Sequence, residues 1–206
     1  MAFARIGLAI LAAGAASRFG ARKLTASLGK EMIGIIAAKQ LANLDFSAKV
    51  AVCSPDDTAL VAGFEALNFT PYLNNAPALG LSHSISIATQ AFDLNAIDGL
   101  LICLADMPNI TARHIMAMHS AFVSTGGMRT IASSCEGITM PPVLFARSDF
   151  GLLERLSGDQ GARALLSAAT VIEADSWVMA DIDTREDLER ISRLYRLSKV
   201  HGQDPS

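Results

Sequence analysis

Short, continuously apolar runs alternate with amphipathic stretches along the first half of the chain. Three of these runs have the length of a strand and are followed by helical spacing: residues 6–11, 49–53 and 99–104. Continuous hydrophobicity is typical of parallel strands that helices cover on both faces. The helices predicted from apolar periodicity are residues 33–44, 58–67, 84–92 and 111–123. This rhythm predicts a single α/β domain of Rossmann-like architecture with a mostly parallel, doubly wound sheet.

The last third of the chain is less regular. We expect strands at 130–134 and 143–146 around a turn rich in Gly and Pro, a helix at 161–169, and a strand at 171–182 that a turn interrupts. Residues 184–187 have the form of an N-terminal capping box, which predicts that a final helix begins there. We assign residues 1–198 to one domain and residues 199–206 to a polar tail.

Composition limits the possible classes of protein. With 206 residues, 51% of them hydrophobic and 18% charged, the chain is long enough for one core and too apolar to be disordered. A net charge of −3 argues against a protein that grips nucleic acid. Three cysteines without C-x-x-C spacing predict free thiols in a reducing, cytoplasmic environment. No apolar run approaches the roughly 20 residues that span a bilayer, so we expect no membrane segment.

The first apolar run leads into a loop of small residues, Leu11-Ala12-Ala13-Gly14, that is followed by Ser17, Arg18 and Lys23. Small side chains let backbone N–H groups approach phosphate oxygens, and the cations could neutralise a triphosphate. The spacing fits neither a Walker A loop nor the G-x-G-x-x-G fingerprint of dinucleotide-binding folds. An ordinary strand-to-helix turn with solvated cations is the alternative.

Carboxylates follow two further strands. Asp106 comes directly after residues 99–104, where its carboxylate can bind Mg²⁺ or simply cap a helix. Asp181 and Asp183 precede the final helix, and alternation along an extended segment would turn both to the same side. Either could join Asp106 around a metal ion, and either could be a cap or a solvated group.

Taken together, these segments resemble the molybdenum cofactor cytidylyltransferases and their relatives in the MobA-like group of nucleotidyltransferases. The resemblance extends from about residue 6 to residue 193. The segments that carry it are residues 11–14 with Ser17, Arg18 and Lys23, then residues 80–84, 104–108, 158–163 and 181–188.

The resemblance implies a fold like that of the nucleotide-diphospho-sugar transferases, with Mg²⁺ as the cofactor. It implies catalytic roles for Arg18, Lys23 and Asp106, and metal ligation by Asp106 and Asp183. The implied nucleotide-binding residues are Leu11, Ala12, Ala13, Gly14, Ser17, Arg18, Lys23, Gly80, Ser82 and Ser84.

The implied reaction moves CMP from CTP to the phosphate of molybdopterin and releases pyrophosphate. Docking to a molybdoenzyme or its chaperone would follow from such a product. Two departures from the family pattern concern Lys30, whose role stays open, and residues 139–143, where the acceptor side differs. The alternatives are guanylyl transfer to the same cofactor, nucleotidyl transfer to a sugar phosphate, and a nucleotide-binding regulatory module without catalysis.

Overall fold

The structure is a computed structural model that describes residues 4–14, 19, 23–156 and 165–200, with side chains as far as residue 195 in the last helix. The strands are β1 Ile6–Ala12, β2 Ser27–Leu28, β3 Glu31–Met32, β4 Ala48–Cys53, β5 Thr70–Leu73, β6 Gly99–Leu104, β7 Ile131–Cys135, β8 Ile138–Ala146 and β9 Thr170–Glu173. The α-helices are α1 Ile33–Leu41, α2 Thr58–Ala66, α3 Leu81–Gln90, α4 Ala112–Ser124, α5 Phe150–Leu153 and α6 Arg185–Val200.

Seven of the described strands form one sheet in the order β5-β4-β1-β6-β8-β7-β9, and β2 pairs with β3 separately. β5, β4, β1 and β6 are parallel neighbours, whereas β8 runs antiparallel to both β6 and β7. β9 is parallel to β7, so one strand of the seven is reversed. The predicted α/β class and mostly parallel sheet are confirmed.

Both faces of the sheet are buried, as the continuous apolar runs predict. Along β1, Leu8 and Ile10 face a core that includes side chains of α1, α2, α4 and α6, and both are fully buried. Ala9 and Leu11 face the opposite core, against α3 and α5. Full burial of one Leu or Ile side chain stabilises the folded state by roughly 1.5–3 kcal/mol. Because side chains on both faces of β1 are buried in this way, β1 lies at the centre of three layers.

The β7–β8 region corrects the predicted turn. The strands join through Glu136 and Gly137, both with positive φ (52° and 78°), and β8 then continues from Ile138 through the two prolines. Ala132 pairs with Val143 and Ser133 with Met140, so Pro141 and Pro142 lie in a register shift. A bulge accommodates proline because no ladder hydrogen bond is required of it. The predicted strand at 143–146 is therefore the second half of a longer strand.

Other boundaries also differ. The strand expected at 171–182 ends at Glu173, because β9 pairs only with β7 along four residues and the chain then turns away. α3 begins at Leu81 rather than at residue 84, and β5 is a strand that apolar periodicity did not indicate. Of the helix expected at 161–169, residues 161–164 lie outside the described residues; Leu165 and Leu166 are helical, and the chain turns at 167–168.

The capping box before α6 is confirmed. The Thr184 hydroxyl accepts a hydrogen bond from the Asp187 backbone N–H at 3.1 Å, and Asp187 Oδ2 accepts one from the Thr184 backbone N–H at 3.0 Å. α6 extends to Val200, two residues into the segment predicted as a tail, and residues 201–206 lie outside the described part of the chain. None of the described helices has the length and apolar character needed to cross a bilayer.

Candidate active site

The ends of β1 and β6 lie side by side and bring two of the sequence motifs together. Leu11 pairs with Leu104 across the parallel ladder, and the Ala105 backbone N–H donates to the Leu11 carbonyl at 3.0 Å. The small-residue loop after β1 and Asp106 after β6 therefore share one edge of the sheet. This is the edge where open α/β sheets bind ligands.

Lys23 joins the first motif to the other two. It begins a short 3₁₀ turn, and its Nζ donates to Asp106 Oδ2 at 2.8 Å and to Asp183 Oδ1 at 2.9 Å. The Lys23 side chain is 11% exposed and that of Asp106 is 22% exposed, whereas that of Asp183 is 49% exposed. One ammonium group thus holds together two carboxylates that are far apart in sequence.

The segment before α6 is fixed against the turn after β6. The Ile182 backbone N–H donates to the Asp106 carbonyl at 3.0 Å, and the Ile182 side chain is fully buried. This contact sets Asp183 beside Lys23. Residues 181–183 are not a strand, so the alternation expected for Asp181 and Asp183 does not apply; Asp181 is exposed.

The charges of the cluster and its partial burial shift the pKa values of Lys23 and Asp181. Burial lowers the pKa of the Lys23 ammonium, but Asp106 and Asp183 raise it more, and the net pKa lies above its usual value. The pKa of Asp181 is also raised, because its carboxylate is partly desolvated and stands near the negative charges of Asp183 and Asp106. Lys23 is therefore a permanent cation at neutral pH.

A cavity of about 390 Å³ opens over this cluster. Its lining includes eight of the predicted site residues: Leu11, Ala13, Gly14, Lys23, Gly80, Ser84, Asp106 and Asp183. Its size lies within the usual range of small-molecule sites. The sequence motifs thus converge on one cavity with a cation and two carboxylates at its side.

The donor set fits a divalent cation that arrives with a nucleotide. Asp106 Oδ1 is buried and has no hydrogen-bond partner among the described residues, which leaves a carboxylate oxygen available as a ligand. No group of three or more His, Cys, Asp or Glu in the described residues is arranged to hold a metal. Mg²⁺ is commonly bound by one or two carboxylates, with phosphates and water as its other ligands.

Two of the predicted residues that the structure describes, Ala12 and Ser82, do not line this cavity. Ala12 is buried in the core on the opposite face of β1 from Leu11, so only its backbone can meet a ligand. Ser82 lines a neighbouring cavity instead. Ser17 and Arg18 lie outside the described residues, as does the segment 158–163. The functional roles assigned to all these residues remain predictions.

Asn74 lines neither cavity but holds a segment of the site in place, and sequence reasoning missed it. It is fully buried just after β5, its Nδ2 donates to Ser84 Oγ at 3.0 Å, and its Oδ1 accepts from the Ala76 backbone N–H at 2.9 Å. These bonds fix the segment 74–80 beside the start of α3. A polar residue directly after a strand was the available signal, but β5 itself went unrecognised.

A mostly parallel sheet with a small-residue loop, a buried lysine and two carboxylates at one edge defines a nucleotide-binding α/β protein. Residues 8–174 match the MobA-like NTP transferase domain. The chain therefore belongs to the MobA-like NTP transferase family and is a nucleotidyltransferase, as the motifs predicted.

One relative supports the family, and one solved structure shares the fold. The chain is 31% identical over 199 residues to the purine catabolism protein PucB of Bacillus subtilis (strain 168), covering 89% of this chain and 94% of the relative. Among solved structures it is similar to the homologue of Mycobacterium tuberculosis Rv0371c from Mycobacterium sp. strain JC1, with 24% identity, a TM-score of 0.79 and coverage of 94% and 98%.

Two further structures share the fold. The manganese complex of Rv0371c from Mycobacterium tuberculosis H37Rv has 19% identity, a TM-score of 0.70 and coverage of 92% and 98%. Molybdopterin-guanine dinucleotide biosynthesis protein A from Archaeoglobus fulgidus has 17% identity, a TM-score of 0.71 and coverage of 93% and 99%. At these identities the likeness concerns architecture.

Proposed function

We propose that the protein transfers CMP from CTP to the phosphate of molybdopterin, with Mg²⁺ as cofactor and pyrophosphate as the leaving group. The observation that carries the proposal is the contact of Lys23 with both Asp106 and Asp183 beside Gly14 in one cavity. A cation, two carboxylates and a close backbone approach are what a metal-bound triphosphate requires.

In the proposed reaction an oxygen of the acceptor phosphate attacks the α-phosphorus of CTP in line with the leaving group. A new P–O bond forms, and the bond from the α-phosphorus to the pyrophosphate oxygen breaks. Lys23 and Arg18 would neutralise charge on the leaving pyrophosphate, so no covalent enzyme intermediate is needed. Asp106 and Asp183 would hold Mg²⁺, which when bound supplies positive charge to the phosphate oxygens.

Support for cytidine over guanosine comes from Ala13. The second alanine of Leu-Ala-Ala-Gly resembles the cytidylyl members of the family, whereas guanylyl members have glycine there. Ala13 lines the cavity, and its methyl group leaves less room for a base than a glycine would. A smaller pocket favours the pyrimidine. Guanylyl transfer and transfer to a sugar phosphate are the rival activities.

Support for an active enzyme over a regulatory module comes from the paired carboxylates. A degenerate nucleotide-binding module would be expected to lose a metal ligand, and both Asp106 and Asp183 are present at the cavity. The manganese in the Rv0371c complex and the molybdopterin product named for the Archaeoglobus protein agree with a divalent cation and this acceptor. Docking to a molybdoenzyme or its chaperone, within the cytoplasm, belongs to the same proposal.

The test is thermal unfolding with CTP, GTP or ATP, each with and without Mg²⁺, followed by an assay of pyrophosphate release with molybdopterin. At 100 times its dissociation constant, a ligand adds about 2.7 kcal/mol to the free energy of unfolding. We expect the largest shift with CTP and Mg²⁺. Asp106→Asn should remove the Mg²⁺ dependence and lower turnover by about 10³-fold, since metal charge stabilisation amounts to several kcal/mol.

Asp45→Asn is the matched control, because Asp45 is exposed in the loop between α1 and β4, at the opposite edge of the sheet. It should leave both measurements unchanged. A larger shift with GTP would keep the reaction class and change the base. An Asp106→Asn protein that retains most of its activity would contradict the metal assignment.

A further inference from the structure

The ammonium group of Lys23 stands where the two carboxylates of the site would together hold a metal ion. Its Nζ lies 2.8 Å from Asp106 Oδ2 and 2.9 Å from Asp183 Oδ1. Mg²⁺ bound to the same two oxygens would lie about 2.0–2.1 Å from each of them. The space between these oxygens therefore admits the ammonium group or the metal ion, but not both.

The second oxygen of Asp106 does not by itself replace this position. Asp106 Oδ1 is buried and has no hydrogen-bond partner among the described residues. Mg²⁺ requires an octahedral set of ligands, several of them water or phosphate oxygens, and a buried oxygen leaves little room for water. A metal ion at Oδ1 would also face the Lys23 ammonium group across a single carboxylate and be repelled by it. Without a further anion, the described site disfavours a divalent cation.

The charged groups at this edge of the sheet are concentrated around Lys23. The neighbouring cavity, which we call the apolar cavity, has a volume of about 440 Å³ and lies between the start of α3 and β8, and none of its described lining residues is charged. Uncharged groups fix its β8 wall: the Ser133 hydroxyl lies 2.9 Å from the Pro142 carbonyl and 2.8 Å from His114 Nε2, and burial lowers the pKa of His114. Among the described residues that line the two cavities, Lys23 is the only cation.

The burial of the three side chains indicates what could release the lysine. The side chain of Asp183 is 49% exposed, so water can take the place of the ammonium group there. The Lys23 side chain is only 11% exposed, and a buried ammonium group without a counter-charge is costly. Lys23 therefore leaves the carboxylates only for another anion. A triphosphate beside Gly14, in the same cavity, would supply one.

The balance of charge favours the arrival of metal and triphosphate together. One ammonium group and two carboxylates form the cluster. A metal ion alone would bring two cations into contact, and a triphosphate alone would meet two carboxylates. When both are bound, the metal ion neutralises the carboxylates and the lysine pairs with phosphate. Each ligand then increases the affinity for the other by the same factor, because coupling between binding sites is reciprocal.

We propose that Lys23 is an internal counter-ion that excludes the metal until a nucleoside triphosphate is bound, when its ammonium group moves from the two carboxylates to the phosphates. This inference rests on the proposed function and adds to it a coupling between metal and nucleotide. A gain of binding follows from it: removal of the lysine charge should create a metal site in the protein without nucleotide.

The experiment titrates the protein with Mn²⁺ in the absence of nucleotide and measures the loss of the electron paramagnetic resonance signal of the free ion. Mn²⁺ is suitable because it prefers the same oxygen ligands as Mg²⁺. The variants are Lys23→Met, Lys23→Gln, which keeps a hydrogen-bond donor without the charge, and Lys23→Arg, which keeps the charge. Lys39→Met is the matched control, since Lys39 is exposed and pairs with Glu31 at 2.6 Å. Equilibrium dialysis of radiolabelled CTP, with and without Mn²⁺ and without acceptor, measures the coupling in the wild type.

We expect Lys23→Met and Lys23→Gln to bind Mn²⁺ about tenfold or more tightly than the wild type, since couplings between sites are typically 5–150-fold. Lys23→Arg and Lys39→Met should match the wild type. Asp183→Asn in the Lys23→Met background should abolish the gain, which shows that the added Mn²⁺ binds at this carboxylate. In the wild type, Mn²⁺ should tighten CTP binding about tenfold or more. If Lys23→Met does not fold, Lys23→Gln and the dialysis measurement still decide the matter.

Equal Mn²⁺ affinity in the wild type and in both uncharged variants would overturn the inference, and so would a gain that persists with Asp183→Asn. CTP binding by the wild type would in those cases leave the proposed function standing. If the uncharged variants gain Mn²⁺ binding but the wild type binds no triphosphate, the exclusion of the metal by Lys23 is supported and the proposed function is contradicted.

Discussion

The two halves of the sheet present different chemistry at the same edge. On one side, the parallel strands β4, β1 and β6 end near the cavity with Lys23, Asp106 and Asp183. On the other side, antiparallel β8 passes along the apolar cavity with its strand face rather than its end. Strand ends place charged groups from loops, whereas a strand face supplies a wall of side chains. The charged cavity and the apolar cavity are therefore built from different parts of the sheet.

Replacing Lys23 with methionine should have the largest effect. Losing one preorganised charge at such a site costs about 10²–10³-fold in rate, so kcat/KM should fall by that factor and the CTP shift should shrink. Lys39→Met removes an exposed lysine that pairs with Glu31 at 2.6 Å, and its kinetics should match the wild type. Equal losses in both variants would remove Lys23 from the site.

Two glycines at the first cavity should respond differently to alanine. Gly80 has φ 84° and ψ −173°, a conformation that alanine rarely adopts, so Gly80→Ala should lower the free energy of unfolding by about 1–3 kcal/mol. A Cβ at Gly14 meets no heavy atom of the described residues within 4 Å. Gly14→Ala should therefore keep its stability but bind CTP about tenfold more weakly, if phosphates approach that backbone. Denaturant unfolding and calorimetric titration measure the two effects.

We expect the smallest effect on the pH dependence of the free energy of unfolding, through His114 behind the wall of the apolar cavity. His114 is buried and its folded pKa lies below the usual value of about 6.5, so the unfolded chain binds a proton first as pH falls. Stability from neutral His114 is present above pH 6.5 and is lost as pH falls through the folded pKa. Unfolding free energies between pH 7.5 and 5 should fall more steeply for the wild type than for His114→Gln. Parallel curves would contradict this role.

The local elements could be predicted from the sequence with good agreement. β1, β4 and β6 matched their apolar runs to within one residue, and the capping box at Thr184 formed as expected. The prediction of a turn around Pro141 is wrong, since β8 continues through both prolines. Proline cannot donate a ladder hydrogen bond, so two prolines indicate a strand only where a bulge accommodates them. That bulge depends on the register with β7, which no local pattern encodes.

For the candidate site, too, some features follow from local sequence and others only from tertiary structure. Local sequence alone determined that small residues, a lysine and carboxylates follow strands, since strand ends and caps are set by neighbours in the chain. Tertiary structure decided that Lys23 meets Asp106 and Asp183, which are 83 and 160 residues away. It also set Asp183, and not Asp181, against Lys23, through the backbone bond of Ile182 to Asp106, and it created the apolar cavity. Such contacts arise only when the parallel crossovers bring distant strand ends to one edge.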